Sequence, residues 1–269
     1  MSRINVENAG YKVNWAEPLG RGRTATAYEA IEEATGRPVV VKESAIPAFS
    51  KIEAEVMHAS SRASPYLPDL FFDSSEGNLS HLVMERCGAP IVDTFKLAKP
   101  EGQIVQIHMN DLRAVRALHE AGYLHLDGHP LNIRIEGTDP RSVRRLDFGA
   151  AVRMQNGTAQ SYRFHGRWRA PEQLGASGMG EVGPWTDLYS VGLMLGASIQ
   201  GYNPIRVPVA KMQDFPFRAE AARNPDLSGV KNSDLQGVVR KAISAAPARR
   251  YQSADEFLNA LRPFSGPET

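Results

Sequence analysis

Side chains alternate between polar and apolar from Thr26 to Ile31, and the apolar run Val39-Val40-Val41 closes on the charge of Lys42. With turns at Leu19–Ala25 and Ala34–Gly36, the stretch 11–43 predicts three antiparallel strands. Residues 51–61 carry Ile52, Val56 and Ala59 at helical spacing on one face. Residues 81–88 read as a buried strand ending in a glycine, and 90–122 as two helices. The second of these runs from Ile107 to Ala121, with Leu112, Val115, Leu118 and His119 along one side and Gly122 as its C-cap. In Tyr123–Gly149 the apolar pair Leu124 and Leu126 brackets His125, polar residues follow from Asp127 to Asn132, and Ile133 and Ile135 then alternate. That pattern predicts a loop leading into a hairpin. Residues 185–201 form a strongly apolar helix with Asp187 near its start, 202–230 are irregular and Pro-rich, and 235–245 and 254–261 return to helical periodicity.

Composition narrows the function classes. The 269 residues suffice for a large core, in one two-lobed domain or two small ones. A net charge of +1 gives no electrostatic footprint for nucleic acid or an acidic membrane, so we expect neither as a partner. Cys87 is the only cysteine, which excludes an internal disulfide and a cysteine metal cluster. The first residues lack an apolar signal core, and no apolar run approaches the roughly twenty residues of a membrane helix. We therefore expect a soluble chain in a reducing, cytoplasmic compartment; secretion into a host cell is also compatible.

The chemistry concentrates in the central loop. Asp127, Asn132 and Asp147 fall within twenty-one residues. One free carboxylate and two oxygen ligands aimed at a common point are what phosphoryl transfer with magnesium requires. Asp and Asn are also ordinary turn residues, so the three alone leave both readings open. Gly20 and Gly22 let backbone N–H groups approach phosphate oxygens, or simply make a tight turn. Lys42 reaches phosphates or snorkels at a sheet edge. Glu55, three residues after Ile52 and four before Ala59, borders the predicted buried face of its helix, whereas Glu53 points more toward solvent.

The motif His125-x-Asp127-x-x-x-x-Asn132, with Asp147-Phe148-Gly149 fifteen residues after the Asn, resembles the catalytic loop and D-F-G element of protein kinases. Ala170-Pro171-Glu172 matches their A-P-E, and Pro247 to Ser253 resembles their P-x-x-R element. The closing segment is similar to bacterial serine/threonine protein kinases of eukaryotic (Hanks) type. Ten such positions occur in kinase order over nearly the whole chain.

The resemblance implies an α+β, bilobal fold as one domain over 1–269. It has an antiparallel N-lobe sheet with one helix to about residue 85, a hinge at 85–89, and a mainly helical C-lobe over about 90–265. ATP and Mg2+ would lie between the lobes. The nucleotide would meet Leu19, Gly20, Gly22, Ala25 (where the third glycine usually stands), Ala27, Val40 and Lys42. Met84 would limit the depth of the adenine pocket, and the backbone of Glu85 and Cys87 would meet the adenine edge. Glu55 would hold Lys42, Asp127 would orient the acceptor hydroxyl, and Asn132 and Asp147 would bind magnesium. Glu172 would pair with Arg250, and Asp187 would tie the catalytic loop to its helix. A protein Ser or Thr is the implied acceptor, and the Trp168 context is reminiscent of tyrosine kinases.

This chain departs from the pattern in several places. Leu126 replaces the Arg that pairs with an activating phosphate, so loop phosphorylation is not expected to be needed for that reason. His129 replaces a Lys near the transferring phosphate, and Arg134 stands where relatives place an apolar residue under the adenine. In the activation segment, residues 150–172, Arg163, Arg167 and Arg169 fit an acidic partner or a solvated surface, and Thr158, Ser161 and Tyr162 are candidate self-phosphorylation sites. A pseudokinase scaffold and a small-molecule phosphotransferase stay as alternatives.

Overall fold

The computed structural model describes residues 2–76, 78–94, 99–161, 166–174, 180–211 and 220–266. Five strands form one antiparallel sheet in the order β1-β2-β3-β5-β4: β1 (Tyr11–Arg21), β2 (Ala25–Glu32), β3 (Pro38–Ser44), β4 (Leu70–Glu76) and β5 (Leu79–Glu85). The period of two along β3 sorts its side chains between the two faces. Val39 and Val41 pack with Val83, Tyr11 and Val6 on the outer face. Val40 and Lys42 point to the other, opposite Met84 and Leu82 of β5. The hydrophobic run and its terminal charge thus belong to different faces, and this puts Lys42 where a cleft can form.

Helix α1 (Ser2–Asn8) covers the outer face through Val6, which has no exposed surface. It is anchored by Arg3, whose guanidinium bonds Glu43 at 2.8 Å and lies 4.5 Å from the Trp15 ring. The inner face receives α2 (Pro47–Ser60), which starts on a proline and packs Val56 and Met57 against Leu82 and Phe148.

The rest is built on helices α3 (Glu101–Glu120), α4 (Pro184–Gln200), α5 (Ser233–Ala242) and α6 (Ala254–Leu261) around one large apolar cluster. Full burial of each Leu or Val of α4 contributes about 1.5–3 kcal/mol, so this helix is the spine on which the loops hang. Asn232 and Ser253 cap α5 and α6 by accepting from backbone N–H groups, and Gly201 ends α4 at φ +81°. No helix among the described residues is long and apolar enough to cross a membrane.

The structure corrects the elements at three points. The long helix begins at Glu101, a turn and a half before Ile107, because Ile104 and Val105 extend its buried face. The earlier helix expected after residue 90 is a short 3-10 turn, Ile91–Thr94, in its described part. Strand β4 escaped the sequence reading, since Leu70-Phe71-Phe72 followed by Asp73-Ser74-Ser75 does not alternate, and its position at the sheet edge does not require it to.

Candidate active site

The sheet and the helical part face each other across a cleft of about 1110 Å³, ample for a nucleotide. Leu19, Gly20, Gly22, Ala25, Ala27 and Val40 line its roof, and Met84, Glu85 and Cys87 its closed end. The Gly22 N–H bonds the Ala25 carbonyl at 2.8 Å, closing the turn between β1 and β2. The Cys87 N–H has no internal acceptor among the described residues, which leaves it available to a ligand edge. Burial pushes the Cys87 thiol up to about 12, so it is protonated and unreactive at neutral pH. Gly88 is required for the crossing here, since a Cβ at this position would stand 2.3 Å from the Ile135 carbonyl oxygen.

Lys42 is the electrostatic centre. Its Nζ donates to Glu53 at 2.7 and 2.9 Å and to Asp147 at 2.9 Å. Burial works against the ammonium, but the charges of Glu53 and Asp147 outweigh it and hold the Lys42 pKa above the ordinary lysine range. Burial likewise opposes the Asp147 carboxylate, and Lys42 overrides it, so Asp147 titrates below its usual value.

Glu55, expected to hold Lys42, does not reach it. Its Oε1 accepts from the Tyr123 hydroxyl at 2.6 Å and from Arg153 at 2.5 Å. The buried stripe of α2 runs through Ser50, Glu53, Ala54, Met57 and Ser60, while Ala59 is exposed. Two residues on from Glu53, Glu55 is rotated about 200° away around the helix. Hydrophobic periodicity discounts a charge on a buried face, and here the buried position is charged.

Asp127 and Asn132 come from the loop between β7 (Tyr123–Leu124) and β8 (Ile133–Ile135); β8 lies between β6 (Ala89–Pro90) and β9 (Arg144–Arg145) in a small sheet, and Asp147 follows β9. Asp187 of α4 clamps the start of that loop. Its two oxygens accept from the N–H of His125 at 2.9 Å and of Leu126 at 2.8 Å, and His119 is 2.9 Å away. Burial disfavours the Asp187 anion, yet these hydrogen bonds and the nearby imidazoles hold its carboxyl down at about 2.

His125 bonds the Leu146 carbonyl through Nε2 at 3.0 Å and accepts the Asp127 N–H through Nδ1 at 3.2 Å, tying the loop to the Asp147 turn. Burial, with the nearby Arg145 charge, lowers its pKa to about 4, so it is a neutral structural imidazole. Behind it Arg145 and Asp111 form a two-bonded pair at 2.8 and 2.7 Å, almost wholly buried.

The Asn132 amide nitrogen donates to the Asp127 carbonyl at 3.0 Å, and its oxygen has no partner among the described residues. An amide oxygen and the Asp147 carboxylate lining one cleft are hard donors of the kind magnesium takes when phosphates complete its shell. Among the described residues no group of three or more His, Cys, Asp or Glu makes a self-sufficient metal cage. The residues present therefore fit a nucleotide-bound magnesium.

The contacts of Arg169 and Gln173 with this loop were not read from the sequence, whereas the Glu172–Arg250 pair was. Arg169 bonds the Asp127 carboxylate at 2.5 Å and the Leu126 carbonyl at 2.9 Å, and Gln173 reaches the same carbonyl at 2.9 Å. Arg134 lines the cleft floor opposite Arg144 across the β8–β9 ladder. Arg144 takes Glu85 at 3.0 Å, while the buried Nε of Arg134 has no partner among the described residues. His129 lies 3.9 Å from Asp127. Glu172 accepts two bonds from Arg250, at 2.7 and 2.9 Å. Tyr162, Arg163 and the Ser161 side chain lie outside the described residues.

A five-stranded sheet over a helical body, with a buried lysine facing two carboxylates and an Asp/Asn loop across one cleft, defines a two-lobed, kinase-like α+β protein. The family model for the protein kinase domain matches residues 13–260, and the chain belongs to that family.

A probable serine/threonine-protein kinase of Clostridium acetobutylicum is 26% identical over 272 residues, covering 93% of this chain and 39% of the relative. Serine/threonine-protein kinase PAK 1 of Mus musculus is 25% identical, covering 98% of this chain and 50% of the relative. Serine/threonine-protein kinase PknB of Mycobacterium leprae is 29% identical over 208 residues, covering 72% of this chain and 32% of the relative. The chain thus spans a third to a half of the length of these relatives.

Proposed function

We propose that the chain transfers the terminal phosphoryl group of ATP to Ser or Thr hydroxyls of protein substrates. One observation carries this reading: Lys42, bonded to both Glu53 and Asp147, faces Asp127 and Asn132 across a single nucleotide-sized cleft. The lobes in this reading meet at a hinge over about 85–89, with the sheet and α2 before it and the helical body after it.

Each residue has a role set by its surroundings. Lys42, held charged and aimed by Glu53, neutralises phosphate oxygens. Asp147 and Asn132 would hold magnesium, which supplies charge neutralisation to the phosphates when bound. Asp127 orients the acceptor hydroxyl and receives its proton as the new ester bond forms and ADP leaves. Leu126, buried with Leu124 and Val182, fills with apolar contacts the place of a phosphate-pairing arginine. Activity is therefore independent of a phosphate at that position. The names of the relatives support a Ser/Thr acceptor, and the single partly buried Cys87 fits a reducing cytoplasmic setting.

The test is transfer of labelled phosphate from Mg-ATP to generic protein acceptors by wild type and Asp127→Ala. Transfer that vanishes in Asp127→Ala is the expected result. Nucleotide-dependent thermal stabilisation with no transfer would instead identify a binding scaffold, and transfer only to aminoglycosides or choline a small-molecule phosphotransferase.

A further inference from the structure

Asp127 lies on the cleft wall with its carboxylate a quarter exposed, and an unconstrained carboxylate there would rotate freely. Among the described residues, two groups approach it. His129 Nε2 stands 3.9 Å from Oδ2, beyond hydrogen-bond reach. Arg169 Nη2 stands 2.5 Å from Oδ1, within it.

Arg169 is 8% exposed and comes from the segment leading into the 3-10 turn Pro171–Leu174. Its other terminal nitrogen donates to the Leu126 carbonyl at 2.9 Å. One planar fork thus grips consecutive residues, the backbone of Leu126 and the side chain of Asp127. Leu126 has φ +59°, a conformation a leucine adopts only when its surroundings impose it. The surroundings here are plain. Asp187 holds the N–H groups of His125 and Leu126, while Arg169 and Gln173 hold the Leu126 carbonyl. Gly166 lies alongside the stem of Arg169, where an added Cβ would come 3.3 Å from Nε.

We propose that Arg169 is a positioning residue for the transfer reaction, fixing the Asp127 carboxylate so that Oδ1 is held and Oδ2 is presented to the acceptor hydroxyl. The inference rests on the kinase reading and deepens it. It also gives the arginine of this segment a purpose inside the protein, apart from recognition of an acidic partner. A lysine supplies one point contact and cannot hold both the carbonyl and the carboxylate.

The test compares Arg169→Met, Arg169→Lys and Gln173→Leu by steady-state kinetics, ADP–magnesium binding and thermal melting. Gln173 shares the Leu126 carbonyl with Arg169 but makes no bond to Asp127, so its variant isolates the backbone contribution. Arg169→Met is expected to lower kcat about 100-fold, the scale of a misplaced reacting group, with KM for ATP and ADP affinity unchanged. Arg169→Lys should recover about a tenth of the wild-type kcat, and Gln173→Leu should stay within about threefold of wild type at a similar cost in melting temperature.

An Arg169→Met enzyme with wild-type kcat overturns the assignment. So does a Gln173→Leu enzyme as impaired as Arg169→Met, which would reduce Arg169 to a backbone brace, and so does parallel loss of ADP binding and turnover. A wild type without turnover is a different failure: it removes the kinase reading, and this inference with it.

Discussion

Glu53 Oε2 stands 2.7 Å from Lys42 Nζ, and its side chain is 3% exposed, in the middle of the face that α2 turns to the sheet. The ion pair is reached from the helix interior, so it reports the position of α2 directly. Glu53→Gln keeps the shape and removes the charge. Phosphoryl transfer should fall about 100-fold through misplacement of Lys42, while Glu55→Gln, which only weakens a solvent-exposed contact with Arg153, leaves it essentially unchanged. Parallel kinetics on the two variants check this; equal losses would mean that the pair does not select Glu53.

Why the sequence pointed to Glu55 follows from the same pair. Most of the elements were legible from the hydrophobic period, and Lys42, Asp127, Asn132 and Asp147 from their match, in order and spacing, to the motifs of a known family; periodicity alone left the three polar residues open to a plain turn. Asp187 was legible too, as a carboxylate at the start of an apolar helix. What stayed hidden depends on contacts between distant segments. Glu53 is a charge on a buried face. Arg169 meets Asp127 from 42 residues away. The juxtaposition of Arg134 and Arg144 exists only once the β8–β9 register is set. Helix α1 is held by one buried valine and an arginine over Trp15, too little for any periodicity to show.

Arg250 is buried beneath the segment that carries Glu172. Besides its two bonds to Glu172 it donates to the carbonyls of Ser244, Trp185 and Ala245, at 2.8, 3.3 and 3.1 Å. Arg250→Met would strand the Glu172 carboxylate and three carbonyls. Removing one partner of such a buried pair costs about 3–5 kcal/mol. Denaturant unfolding should show this loss, and Glu172→Gln should cost less because its amide oxygen still accepts from the guanidinium.

Two buried histidines set the acid side of the stability curve. Burial lowers His108 to about 3 and His125 to about 4, against an ordinary value of 6.5. Both are depressed in the folded chain, so the unfolded chain binds the extra protons, and the share of stability these two imidazoles govern is complete above pH 6.5 and falls as pH drops toward 4, whereas burial raises Glu53 and Asp111, whose share has the opposite sign. Each histidine contributes a slope of at most about 1.4 kcal/mol per pH unit in that window. Asp187, held at about 2, adds a loss of the same sign below about pH 4. Urea unfolding between pH 5 and 7 should give a rising midpoint, and His108→Gln, which keeps a polar partner for Ser198, should flatten the rise. A midpoint that depends on pH in His108→Gln just as it does in wild type would show that the His108 imidazole is not shielded from protons.

Gly128, next to Asp127, lies against α4 so closely that a Cβ there would come 2.8 Å from the Cβ of Ser190 and 3.3 Å from Arg145 Nη1. Gly128→Ala must therefore push the catalytic loop off the helix, and overpacking of this kind costs about 1–3 kcal/mol. The loop is also what aims Asp127, so turnover should fall with stability. Removing the opposing methylene tests whether that collision is the cause. Ser190→Gly alone is destabilising, by about 1 kcal/mol for glycine inside a helix, together with the loss of its 2.9 Å bond to the Trp168 carbonyl. Combined with Gly128→Ala, however, it opens the space the new methyl needs. A double-mutant cycle in denaturant should thus give a favourable coupling of about 1 kcal/mol or more, with partial return of turnover. Strictly additive losses would place the strain at Arg145 instead, because its guanidinium is the other atom group within reach.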